Sequence, residues 1–188
     1  MSNSIRKGIK IAISGKSGCG NSTVSRLVAD TLGLRLINYT FKDMAAERNM
    51  EFEEFCRLAE QDLSYDIELD KKQVELARSG DCVLGSRLAI WLLEDADLKV
   101  YLTASPRTRA ARIAQREGGT REEQLKATLA RDARDHARYL KLYGIDNDRF
   151  DFADLIIDTE KLDQFEVVEK IIKSLNITLH GGGNFAIF

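Results

Sequence analysis

The sequence predicts an α/β fold, with a five-stranded, mostly parallel sheet covered by helices on both faces. Two observations carry it. Short apolar runs, several bounded by glycine, alternate along the chain with longer segments of helical period, the pattern of strand–helix–strand crossovers. The first such run passes through a glycine-rich turn directly into a helix. The chain has 188 residues, 44% hydrophobic and 31% charged, which suits one domain with a proper core.

Ile9 to Ile13 is apolar and flanked by Gly8 and Gly15, so it reads as a buried strand. Val24, Leu27, Val28 and Leu32 recur at helical spacing, and Gly33 ends that helix. "LRLIN" is the second strand. Thr40 to about Ser79 reads as charged helices. "DCVLGS" is the third strand and "LKVYLTA" the fourth. Pro106 then opens a helix where its missing N–H costs least. "ADLIIDT" is the fifth strand, and "FEVVEKIIKSL" is a closing amphipathic helix. The tail "NITLHGGGNFAIF" fits no element. There is no internal repeat.

Composition excludes several classes of function. The formal charge is −2 and no long stretch is basic, which argues against nucleic acid as a partner. Cys19, Cys56 and Cys82 are scattered, so neither a zinc site nor a disulfide framework is expected, and the chain is expected in the cytoplasm. The N-terminal residues lack a signal peptide's pattern, and no apolar run approaches the roughly 20 residues of a membrane span. A monomer is expected, with Phe185, Ile187 and Phe188 the place where a neighbour would dock. The two histidines, His136 and His180, support neither a triad nor a metal cluster.

"ISGKSGCGNST" approaches the phosphate-loop pattern G-x-x-x-x-G-K-[ST]. Gly15, Gly20 and Ser22 stand where the pattern requires them, and Asn21 stands in place of its lysine. Gly15, Gly18 and Gly20 permit a tight backbone that turns successive N–H groups inward, and the following helix adds its positive end. The loop, Gly15 to Thr23 with Ser17 and Cys19 included, is therefore a candidate site for a nucleotide's phosphates. Ser22 is the candidate magnesium ligand. Lys16 is the loop's one cation and the candidate substitute for the missing charge. The alternative is a serine-capped turn with Lys16 in solvent.

Eight arginines lie between Arg107 and Arg138. Arg109, Arg112 and Arg116 share one side of a helix that Gly118 and Gly119 break, and Arg131, Asp135 and Arg138 share a face beyond it. Planar cations in this density suit closure over a polyphosphate. The competing reading is a surface pair between Arg131 and Asp135. Arg87 lies just past a strand end, where ligands of parallel sheets bind. Asp66 and Asp70 share a helical face and are candidates for an acceptor's polar groups.

"KIAISGKSGCGNSTVSRLVADTLGLRLIN", "LGSRLAIW", "RTRAARIAQREGG", "RDARDHARYLKLYGID" and "ADLIIDTEKL" together resemble the cytidylate kinases, most closely their short archaeal-type branch. The resemblance implies transfer of the γ-phosphoryl group of ATP to CMP or dCMP, with Mg2+. It implies a three-layer α/β/α P-loop fold in residues 1–176, with a helical acceptor-binding insert over about 40–80, a lid over about 110–138 and a tail over 177–188. Residues 15–23 would hold the ATP phosphates, with Arg112 and Arg116 at the lid's basic start. Arg87, Arg131 and Arg138 would meet the acceptor phosphate and the transferring group, with Asp135 on ribose hydroxyls or their support. Two departures stand out: Asn21 replaces lysine, and "CVLGS" lacks an acid to hold magnesium's waters. They leave open a nucleotide-binding protein with little turnover, or a kinase for another small molecule.

Overall fold

The computed structural model describes residues 8–180 of the chain. Five strands, β1 (Lys10–Gly15), β2 (Arg35–Ile37), β3 (Cys82–Gly85), β4 (Leu98–Thr103) and β5 (Leu155–Asp158), form one parallel sheet in the order β2-β3-β1-β4-β5. The alternation of side chains along each strand divides the core in two. Ile11, Ile13, Val83, Leu98, Val100, Leu102, Leu155 and Ile157 face α1 (Asn21–Leu32) and α8 (Gln164–His180). Ala12, Cys82, Leu84 and Tyr101 face the opposite way, under Ala77 of α4 (Ser64–Ala77) and under α5 (Ala89–Leu92). A fully buried aliphatic side chain contributes roughly 1.5–3 kcal/mol, so these two layers fix the strands whose ends carry the loops.

Between β2 and β3 the chain forms α2 (Phe41–Glu47), α3 (Phe52–Gln61) and α4, the helices expected over 40–80. They have a small core of their own, in which Met44, Ala45, Phe55 and Ala59 pack with Phe41, Tyr65 and Leu69. Between β4 and β5 lie α6 (Pro106–Glu117) and α7 (Arg121–Tyr143). Ser105 caps α6 by accepting from Thr108 N at 3.2 Å, with Pro106 in the first turn. Gly118 and Gly119 both take φ 85° and end it, and Thr120 with Glu123 forms a capping box that starts α7.

One element and one boundary go beyond the sequence expectation. Leu88, Ala89 and Trp91 are packing residues at or beside the short helix α5, which is too brief to show a period in the sequence. The closing helix runs to His180 rather than Leu175, because no glycine or proline interrupts the chain before Gly181. Phe185, Ile187 and Phe188 lie outside the described residues. No helix among the described residues is long and apolar enough to cross a membrane.

Candidate active site

β1 and β3 are neighbours and end at the same edge of the sheet, which brings the glycine loop beside Gly85, Ser86 and Arg87. The loop's shape follows from close approaches. Gly18 has φ 86°, and a Cβ there would lie 2.8 Å from the Arg109 carbonyl, so only glycine lets α6 pack onto the loop. Cys19 N closes a turn on Lys16 O at 3.1 Å, and α1 begins at Asn21. Burial pushes the Cys19 thiol up to about 11, so it stays protonated and offers a ligand only its backbone.

A cavity of about 470 Å³ opens here. Gly15, Lys16, Ser17, Gly18, Gly20, Asn21, Ser22 and Thr23 form one wall; Gly85, Ser86, Arg87, Arg112, Arg116 and Arg131 form much of the rest. No described residue lining it is a carboxylate. A second cavity, of about 220 Å³, adjoins it at Gly20, Thr23 and Arg112 and is lined further by Cys19, Thr159, Leu162 and Gln164.

The arginines are held in place. Arg112 donates to Thr159 Oγ1 at 2.9 Å and to the Thr159 carbonyl at 2.5 Å, which sets it between the two cavities. Arg131 donates to Ser17 Oγ at 3.0 Å. Arg87 pairs with Asp135 at 2.7 Å, so the competing surface pair between Arg131 and Asp135 on α7 is not among the ion pairs of the described residues; each side chain turns to a different element. Arg116 lines the cavity while paired with its neighbour Glu117.

Asp66 and Asp70 both face α7, where Arg138 pairs with Asp66 and the Tyr143 hydroxyl donates to Asp70 at 2.7 Å. Burial raises the pKa of Asp66, Asp70 and Asp135, reaching about 6 for Asp70; Arg138 and Arg87 act against it at Asp66 and Asp135. Ser86 Oγ and Arg138 Nε are buried and have no partner among the described residues.

Asn21 does not offer its amide freely to the cavity. Its Nδ2 donates to the Ser86 carbonyl at 3.2 Å, and its Oδ1 accepts from Ser25 Oγ at 3.1 Å. Lys16 lines the cavity with Nζ 2.5 Å from Asp148 Oδ1.

A model of the cytidylate kinase-like family matches residues 10–161. The chain belongs to that family. A relative named cytidylate kinase 2 from Borrelia garinii subsp. bavariensis is 47% identical over 87% of this chain and 94% of its own. Relatives named cytidylate kinase from Methanococcus maripaludis and Pyrococcus horikoshii are 37% and 41% identical, covering 88% and 80% of this chain and 98% and 80% of theirs. Among solved structures, an uncharacterised protein from Eubacterium ventriosum aligns with TM-score 0.65 at 19% identity, over 89% of this chain and 98% of that one. Shikimate kinase from Aquifex aeolicus aligns at 0.62 and 17%, over 93% and 100%. These structural likenesses bear on the fold.

In this member of the family, sequence reasoning missed the buried role of Arg109 and passed over three further groups. Arg109, 2% exposed, grips Asp132 through both of its terminal nitrogens and donates to the Ser17 carbonyl at 3.1 Å. The signal was present in the arginine spacing, but Arg109 looked like its exposed neighbours. Ser86 and Asp132 lie within the stretches "LGSRLAIW" and "RDARDHARYLKLYGID" without being singled out there, and Asp148 lies two residues beyond the second. The missing acid at the end of β3 has a steric counterpart: a side chain at Gly85 would collide with Ser25 of α1.

Proposed function

We propose that the protein transfers the γ-phosphoryl group of ATP to CMP or dCMP. The observation that carries this is the cavity at the ends of β1 and β3, walled by a glycine loop and four arginines without a carboxylate. Such a wall suits two polyanions held close together. Membership of the family supports phosphoryl transfer, and the names of the relatives support cytidylate as acceptor.

Phosphoryl transfer needs alignment and charge stabilisation more than a strong base. Loop N–H groups from Gly15 to Thr23 would cradle the donor phosphates, with the donor's nucleoside in the cavity beside Thr159 and Gln164. Arg87, Arg131 and Arg138 would hold the acceptor phosphate, whose oxygen is already anionic and nucleophilic. Asp135 orients Arg87, and Asp66 orients Arg138. Arg112 and Arg116 would screen the donor as α6 and α7 exclude water. Lys16 would supply the loop's charge. Magnesium fits only in part: Ser22 offers a hydroxyl, and the nucleotide's phosphates would provide most other ligands. When bound, it would offset the negative charge of the nucleotide's phosphates.

The test is ADP release with CMP, dCMP, UMP, AMP, GMP or no acceptor at subsaturating concentration. CMP and dCMP should exceed AMP and GMP by at least about tenfold, ~1.4 kcal/mol of discrimination. Turnover with AMP equal to that with CMP would sink the acceptor reading. Tight ATP binding without ADP release would leave only a binding protein.

A further inference from the structure

We infer that Asp148 is a positioning residue for Lys16, tethering its ammonium beside the phosphate cavity that Lys16 lines. This rests on the reading of Lys16 as the loop's charge. Within Gly15–Thr23 no other residue is a cation, and Asn21 is committed to Ser86 and Ser25. The charge therefore enters from the first residue after Gly15, on a flexible four-carbon stem that needs an external anchor to find one place.

Asp148 is built to be that anchor. It lies in the turn after α7, where its own N–H donates to Asp146 Oδ1 at 3.0 Å and Arg149 N donates to Asp146 O at 3.1 Å. The residue between them, Asn147, is buried and bonded to His136 Nδ1 at 3.0 Å. The turn is thus pinned to α7 at His136, while Asp148 Oδ1 lies 2.5 Å from Lys16 Nζ. The lysine side chain is 26% exposed and the carboxylate 55%. A pair this open biases the stem without immobilising it, and the ammonium has three donors, enough to share with a phosphate. His136, Asp146 and Asp148 also gather within 4.8 Å, the spacing of a metal site, but the Lys16 ammonium already brings positive charge to that cluster.

The test compares steady-state ADP release, with ATP, CMP and excess magnesium, in wild type, Lys16→Met, Asp148→Asn, Asp148→Glu and the double variant Lys16→Met/Asp148→Asn. Asp148→Asn should lower kcat roughly threefold to tenfold, with KM for CMP unchanged. Asp148→Glu should recover part of the loss. In the Lys16→Met background Asp148→Asn should cost nothing more, because the residue it acts through is gone. An equal loss in both backgrounds, or wild-type kcat in Asp148→Asn, overturns the inference. If Lys16→Met lowers kcat while Asp148→Asn does not, Lys16 keeps its role and the positioning is refuted. If Lys16→Met retains wild-type kcat, the reading of Lys16 itself falls, and Asp148 falls with it. Asp148 is exposed, so its substitutions should leave the fold intact, and a thermal melt of each variant, Lys16→Met included, checks that.

Discussion

Asn21 donates to the Ser86 carbonyl and accepts from Ser25, so it ties α1 to the end of β3. A lysine there would break both bonds, costing about 1–2 kcal/mol in stability, readable as a lower Tm. In the Lys16→Met background the same Asn21→Lys change should nevertheless recover part of the rate, because its charge would serve the same phosphates. Lys16→Met alone should lower kcat on the order of tenfold to a thousandfold, with the KM for ATP changed less, as expected for a charge used mainly in the transition state. Asp135 makes a second residue-level case. It holds Arg87, so Asp135→Asn should reduce kcat/KM for CMP and leave the KM for ATP nearly unchanged. Wild-type kinetics with an intact circular dichroism spectrum would remove Asp135 from the site.

At the scale of elements, α6 and α7 are bolted to the glycine loop rather than simply laid over it. Arg109 crosses from α6 to Asp132 of α7 and to the Ser17 carbonyl, with its side chain almost fully buried. Removing one member of a buried pair strands the other, at about 3–5 kcal/mol. Arg109→Met should therefore lower Tm well beyond any single surface arginine, such as Arg107→Met, and an equal Tm for the two variants would contradict the clamp. This level also shows what was legible in the sequence. The strands and the glycine loop were, because short apolar runs and glycine punctuation are local signals. The position of Arg87 past a strand end and the helix faces of Arg112 and Arg131 were legible from spacing, but their meeting at one cavity is made by packing. The partners were not legible: Arg109 with Asp132, Arg87 with Asp135 and Lys16 with Asp148 each join residues far apart in sequence, and only packing decides such pairs.

For the whole molecule, the contact between the helical insert and α7 makes stability depend on pH. Asp70 of α4 accepts from Tyr143 of α7, yet burial, more than any neighbour, raises its pKa from 3.8 to about 6. The folded chain then binds more protons than the unfolded chain between those two values, so stability is withdrawn as pH rises through that window. Below about 3.8 Asp70 is neutral in both states and contributes nothing; above about 6 its penalty is complete and constant. Asp70→Asn removes the charge, keeps an oxygen for the Tyr143 hydroxyl, and relieves the repulsion between Asp70 and Asp66. The Tm of Asp70→Asn relative to wild type should therefore rise between pH 4 and pH 6 and level off above it. Other titrating groups cancel in that difference, apart from the response of Asp66, which burial pushes in the same direction. A difference that stays flat from pH 4 to pH 8 would mean that Asp70 is ionised throughout, solvated rather than enclosed between α4 and α7.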